Sequence, residues 1–189
     1  MEFTEKIERA IRKSAELHDG QKRENTKTPY VIHPFSVAFM LSAHTDDENV
    51  IVAVLLHDVL EDVPSYTKED IVKEFGSHVA QIVSEVTEDK SISDWKARKE
   101  KYLEGLSVAS KEAFMVALAD KLHNTESLIR VYKKYGDKVF EHFNSTKEER
   151  LEYLVSIQNI FFTKLAKHPL LDKFSKSLKE LESLIKSKN

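Results

Sequence analysis

The 189-residue sequence contains no cysteine. Disulfides, thiolate zinc ligands and a cysteine nucleophile are thereby excluded. Glycine and proline are scarce, with four of each. An all-β sandwich would need such turn residues every few positions, so their scarcity favours long helices. No charge of either sign dominates: 29 Lys and Arg face 32 Asp and Glu, a formal net charge of -3. That balance gives no electrostatic reason to expect nucleic acid or an anionic membrane as a partner, and an anionic small molecule would need a local basic cluster. Long apolar runs are missing as well, none approaching the ~20 residues of a membrane span. The stretch from Met1 to Lys13 carries charges throughout and lacks the apolar centre of a secretory signal. A cytoplasmic location is expected. What is present, 41% hydrophobic and 32% charged residues, suits one globular domain over residues 1–189 with a substantial core, and is compatible with a homo-oligomer.

The apolar residues recur at helical spacing almost everywhere. Thr4 is placed to N-cap a first helix carrying Ile7, Ala10, Ile11 and Leu17, which His18-Asp19-Gly20 ends. A polar loop follows from Gln21 to Thr28, and Pro34 suits the first position of a second helix with Val37, Ala38, Met40 and Leu41. A third helix is predicted from about Glu48 to Val63, stopped by Pro64. Thr67 with Asp70, and Thr146 with Glu149, have the spacing of capping boxes. Further helices are expected from Ser77, from Trp95 to about Leu106, from Ser110 through Leu128, from Leu151 to Leu165 and after Pro169. At least eight helices and no alternating strand make the expected class all-α.

The third of these, ENVIVAVLLHDVLED, is the most informative. Its first half is apolar all round, as in a helix buried on most sides. Its second half gathers His57, Asp58, Glu61 and Asp62 within two turns, where desolvation is costly unless a cation neutralises the acids. The alternative is a solvated helix end with a local salt bridge. Two other positions bear on the choice: His33 in YVIHP, and Asp120, a lone acid inside the apolar run AFMVALADKL. His33, His57, Asp58 and Asp120 together offer two imidazoles and two carboxylates, a mixed set that suits Mn, Fe, Co or Zn rather than a thiolate-type site. Such an ion acidifies a water and polarises a phosphoryl group, with Glu61 and Asp62 left to position that water or carry its proton.

The order of a His, an adjacent His-Asp pair and a distant Asp resembles the HD superfamily of phosphohydrolases. More closely, HDGQKRENTKTPYVIHP, LLHDVLED, FGSHVAQIVSEVTE and LADKLHN resemble the hydrolase domain of RelA/SpoT-type enzymes and the stand-alone small alarmone hydrolases. The motif-bearing core then covers about 18–128, with C-terminal helices over about 146–187 packing on it. The resemblance implies an HD-type helical bundle in which His33, His57, Asp58 and Asp120 bind a manganese ion and Glu61 and Asp62 assist the attacking water. The implied reaction removes pyrophosphate from the ribose 3′ position of ppGpp or pppGpp, and the lack of a synthetase segment implies degradation without synthesis. It also implies that Arg23 stacks on the guanine base, that Lys121 and Asn124 lie near ribose and phosphates, and that Ser127 contacts the nucleotide. Lys22 is a further candidate cation, and the segment HFNSTKEERLEYL brings Lys147 and Tyr153 as candidates for the pocket. The sequence departs from the family pattern at Glu24, where Lys or Arg is frequent, and after Asn124, where Thr-Glu-Ser replaces an arginine-containing segment. Two other readings share the same metal residues: a hydrolase of another nucleotide or of a 2′- or 3′-phosphorylated cofactor, and a nucleotide sensor without catalysis.

Overall fold

The computed structural model describes residues 2–23 and 27–187, so the Glu24 position lies outside the described residues. Among the described residues ten α-helices succeed one another: α1 Glu5–Leu17, α2 Ile32–Ser42, α3 Glu48–Leu55, α4 Val59–Asp62, α5 Lys68–Phe75, α6 Ser77–Val86, α7 Trp95–Val108, α8 Lys111–Tyr135, α9 Lys147–Leu165 and α10 Pro169–Lys186. A 3-10 helix over Gly136–His142 links α8 to α9. Among the described residues there is no strand, only an isolated bridge between Lys22 and Pro29. No described helix is long and apolar enough to cross a membrane.

Short-range chemistry sets most helix ends. Thr4 accepts from the Ile7 amide and starts α1, and Ser110 accepts from the Ala113 amide and starts α8. Thr67 with Asp70 and Thr146 with Glu149 form complete capping boxes, each side chain bonded to the other residue's amide. Gly136 ends α8 at φ +63°, a conformation that a residue with a Cβ adopts only with strain. Two expectations need correction. Pro34 does not open α2, which begins two residues earlier at Ile32. The predicted third helix is not continuous: α3 stops at Leu55, a turn spans Leu56 to Asp58, and α4 resumes at Val59.

The core is one apolar cluster running from Ile7 to Ile185. Within α3 and the residue after it, Val50 to Leu56 are at most 2% exposed, because α1, α2, α6 and α8 all pack on it. Helix α8 is the second axis. It contacts α2, α3, α6, α9 and α10, and Phe114 on α8, Phe161 on α9 and Phe174 on α10 form an edge-to-face ladder with centroids 6.2 and 5.9 Å apart. The ends of α3 and α2 and the middle of α8 therefore meet at one place.

Candidate active site

That meeting place holds the four residues singled out above. His33 lies in the first turn of α2, fixed by its amide donating to the Tyr30 carbonyl at 2.8 Å. His57 and Asp58 occupy the turn between α3 and α4. In a continuous helix adjacent side chains diverge by roughly 100°, so the break is what lets both face one point. It also frees the Val54 carbonyl, which accepts from His57 Nδ1 at 2.6 Å. A carbonyl can only accept, so Nδ1 carries a proton and Nε2 is the ring nitrogen that faces the cluster. Asp120 comes from the middle of α8.

The donor atoms converge tightly. His57 Nε2 lies 3.2 Å from His33 Nε2 and 3.2 Å from Asp58 Oδ2. His33 Nε2 is 3.5 Å from Asp58 Oδ2 and 3.0 Å from Asp120 Oδ1, which is itself 3.6 Å from His57 Nε2. His33, His57 and Asp58 thus form a group able to hold a metal ion, with donor atoms all within 4.8 Å of one another. Donors bound at about 2.0–2.2 Å to one ion stand about 3.0–3.6 Å apart, which is the spacing found. His33, His57 and Asp120 are all buried, so their charges are offset by one another and by few outside partners. The residues and the geometry fit a divalent transition ion.

A second set of side chains orients the first. Tyr30 donates its hydroxyl to Asp58 Oδ2 at 2.6 Å. His123 Nδ1 meets His33 Nδ1 at 2.8 Å, so one proton between them fixes the His33 ring. Lys121 Nζ donates to Asp120 Oδ2 at 2.8 Å and Asn124 Nδ2 to Asp120 Oδ1 at 2.5 Å. The charges respond accordingly. Burial works against the Asp120 carboxylate, yet the Lys121 ammonium and the two imidazoles hold its pKa well below the usual range. Burial would lower His57, but the charges of Asp58 and Asp120 raise it to about 9. Burial lowers His33.

Glu61 and Asp62, on α4, stand beside this group and are held from the loop between α6 and α7. Glu61 Oε1 accepts from the Glu88 amide at 2.7 Å, and Asp62 accepts from Lys90 at 2.5 Å. Burial, then the Asp58 charge, push the Glu61 carboxyl up to about 7.

Two compartments flank the cluster. An outer one of about 570 Å³ is lined by Lys22, Arg23, Tyr30, Lys121, Asn124, Ser127, Leu128 and Tyr153, among others. Within it Arg23 lies over the Tyr30 ring at 5.5 Å and donates to Asn124 Oδ1 at 2.7 Å. An adjoining inner compartment of about 310 Å³ shares Asp58, Glu61, Lys90, Lys99 and Lys121 with the outer one and adds His57, Asp120, Glu88, Arg98 and Tyr102. Lys147 lines neither; its ammonium is 3.2 Å from Asp137. Sequence reasoning passed over His123, Lys90, Lys99, Arg150 and Arg130. The last lines the outer wall and donates to Ser127 Oγ at 2.8 Å, so this wall has an arginine after all.

A family model for the HD domain matches residues 10–147. The chain belongs to the HD-domain family. It is 42% identical over 165 residues to the guanosine-3′,5′-bis(diphosphate) 3′-pyrophosphohydrolase MESH1 of Xenopus tropicalis, covering 78% of this chain and 91% of that one. To the Drosophila melanogaster MESH1 it is 39% identical over 126 residues, covering 65% and 69%. A solved structure of a metazoan ortholog of SpoT that hydrolyses ppGpp and plays a role in starvation responses superposes with a TM-score of 0.78 at 30% identity, over 95% of this chain and 97% of that one. The chain is thus a member of a family of metal-dependent hydrolases, and its helical fold is the family's.

Proposed function

We propose that this protein hydrolyses the 3′-pyrophosphate of guanosine alarmones, converting ppGpp to GDP and pppGpp to GTP with release of pyrophosphate. The observation that carries the reading is the convergence of two imidazoles and two carboxylates beside the cavity, in a chain whose relatives bear that activity in their names. His33, His57, Asp58 and Asp120 would hold the ion, for which we propose manganese. When bound, such an ion lowers the pKa of a water and polarises a phosphoryl oxygen.

The rest of the work falls to the chain. Glu61 accepts the proton of the attacking water, and Asp62, tethered to Lys90, holds that water's orientation. The water oxygen bonds to the phosphorus that carries the 3′ oxygen; the bond between that phosphorus and the 3′ oxygen breaks. The 3′ oxygen takes up a proton, leaving a ribose hydroxyl and pyrophosphate. Arg23, presenting a flat guanidinium beside Tyr30, stacks on the base, while Ser127 and Asn124 bind ribose. Lys22, Lys121 and Tyr153 face the phosphates. Lys147, turned to Asp137, has no part in this reading.

The test uses protein stripped by a chelator and reconstituted with manganese, offered ppGpp, GDP, a nucleoside monophosphate and a 2′-phosphorylated dinucleotide, with products resolved by ion-exchange chromatography. Equimolar GDP and pyrophosphate from ppGpp, formed only in the reconstituted sample, is the expected result. Inert ppGpp, or equal turnover of the whole panel, would overturn the reading.

A further inference from the structure

Among the described residues the buried acidic side chains are Asp120, which belongs to the cluster, and Glu88, which does not. Glu88 sits in the loop between α6 and α7. Burial would raise its pKa, but the charges of Lys121, Lys99 and Arg98 hold it below the usual range. Lys99 pairs with its Oε1, and Arg98 Nε donates to its Oε2 at 3.4 Å. Arg98 also donates to the Ile92 carbonyl at 2.8 Å, and Lys101 donates to Asp89 at 2.7 Å, so the loop is laced along the first half of α7. A buried ion pair is weak evidence of stabilisation by itself, because desolvation offsets much of the Coulomb gain. What the pair holds in place is more telling. The amide of the same residue donates to Glu61 Oε1 at 2.7 Å, and two residues on Lys90 reaches Asp62. The stretch 88–90 therefore faces two ways, its carboxylates toward α7 and its amide and ammonium toward α4. Helix α4 does not place these acids unaided. It is a single turn of four residues with no side-chain cap, and one turn of helix is unstable on its own. From the other side only the Gln21 amide reaches the Asp62 carbonyl, at 3.5 Å.

We infer that Glu88 is a positioning residue for the proton acceptor: clamped by Lys99 and Arg98, its carboxylate fixes the main-chain amide that orients Glu61, so the start of α7 sets the geometry of a group on α4. The inference rests on the reading that Glu61 takes the proton of the attacking water. Loosening the clamp misplaces the base at the moment of proton transfer and leaves substrate binding alone, so kcat falls while KM holds. A residue that acts only through Glu61 has nothing left to contribute once Glu61 is disabled. That dependence separates the clamp from a role in the fold or a direct contact with the phosphates.

Two measurements test this: steady-state kinetics with ppGpp on the manganese-reconstituted protein, and hydrogen exchange at the residue 88 amide, followed by 15N NMR on the metal-free protein. Glu88→Gln should lower kcat by about 10- to 100-fold with KM moved by less than about 2-fold. The residue 88 amide should exchange at least about 10-fold faster in that variant. In a Glu61→Gln background the same substitution should change kcat by less than about 2-fold. Glu88→Asp keeps an anion among the cations and serves if Glu88→Gln folds poorly; it should show the same pattern with a loss in kcat of about 3-fold. Equal losses with and without Glu61 would overturn the inference, as would an amide whose exchange is unchanged or a rise in KM as large as the fall in kcat. Unimpaired turnover by Glu61→Gln would sink the proton-acceptor reading and the inference with it, whereas additive losses beside an impaired Glu61→Gln would sink the inference alone. Faster exchange in a protein that leaves ppGpp intact would sink the proposed substrate and leave the clamp standing.

Discussion

Glu61 is held between opposing influences. Burial and the Asp58 charge favour its protonated form, while the Glu88 amide at 2.7 Å favours the carboxylate. A group balanced in this way takes up and releases a proton near neutrality, as a base must. Glu61→Gln keeps the shape and one accepting oxygen for the Glu88 amide but removes the basic site. Turnover should fall by about two to four orders of magnitude, with manganese content by elemental analysis and ppGpp binding unchanged. A rate near that of the unaltered protein would assign proton transfer elsewhere. The candidate residues that could be read from the sequence are those whose chemistry is anomalous for their surroundings, such as Asp120 inside AFMVALADKL. Lys90, Lys99 and Arg150 escaped because a cation on a polar stretch looks like any solvated surface charge. Only the packing of α7 and α9 turns Lys99 and Arg150 inward, while Lys90 comes from the loop before α7 and stays half exposed. Lys147 is the opposite case: near in sequence to Tyr153, it lines neither compartment and its ammonium donates to Asp137.

At the scale of the element, helix starts were readable because a cap is a contact between residues three apart. The break at Leu56 to Asp58 was not, since the local pattern favours an unbroken helix. The bonds that offset it come from elsewhere: Tyr30 to Asp58, and His33 and Asp120 to the same cluster. A further joint between elements is Glu85 on α6, whose carboxylate accepts from both the amide and the hydroxyl of Ser110, the residue that caps α8. Burial alone would raise the Glu85 pKa, but the Ser110 hydroxyl, Gln81 and the Ser110 amide hold it below its usual value. A depressed folded-state pKa contributes stability above the ordinary glutamate range, and that contribution is lost as pH falls through the lower folded value. Glu85→Gln should therefore cost about 1 kcal/mol at neutral pH, the low end for a charged hydrogen bond because the group is partly exposed. The difference should shrink to nothing as denaturant titrations are repeated at increasingly acidic pH. A constant difference across pH would contradict the account.

For the whole molecule, the HD frame and the all-α class were legible from periodicity and motif order, whereas the lining of the cavity beside the cluster was not. It depends on how α7, α8 and α9 close around the cluster, a matter of relative placement rather than spacing. The aromatic ladder of Phe114, Phe161 and Phe174 ties α8 to the two C-terminal helices. Phe161 is wholly buried. Phe161→Ala should destabilise the fold by about 3–5 kcal/mol, measured by chemical denaturation, while manganese bound per folded molecule stays the same. Loss of the ion in a protein that remains folded would show that the ladder also supports the site.

The break after α3 hangs His57 and Asp58 from the most enclosed rod in the molecule, whereas Lys22 and Arg23 belong to a loop stitched back by one bridge to Pro29. Chemistry and choice of substrate are therefore housed in parts with different tolerance for change. The part of the loop that precedes Tyr30 can be rewritten, by drift or by design, as long as Tyr30 keeps its bonds to Asp58 and His33. A lineage built on this frame is free to try new nucleotides while its hydrolytic machinery stays constant, and grafting another loop between Gln21 and Tyr30 is the direct way to retarget it.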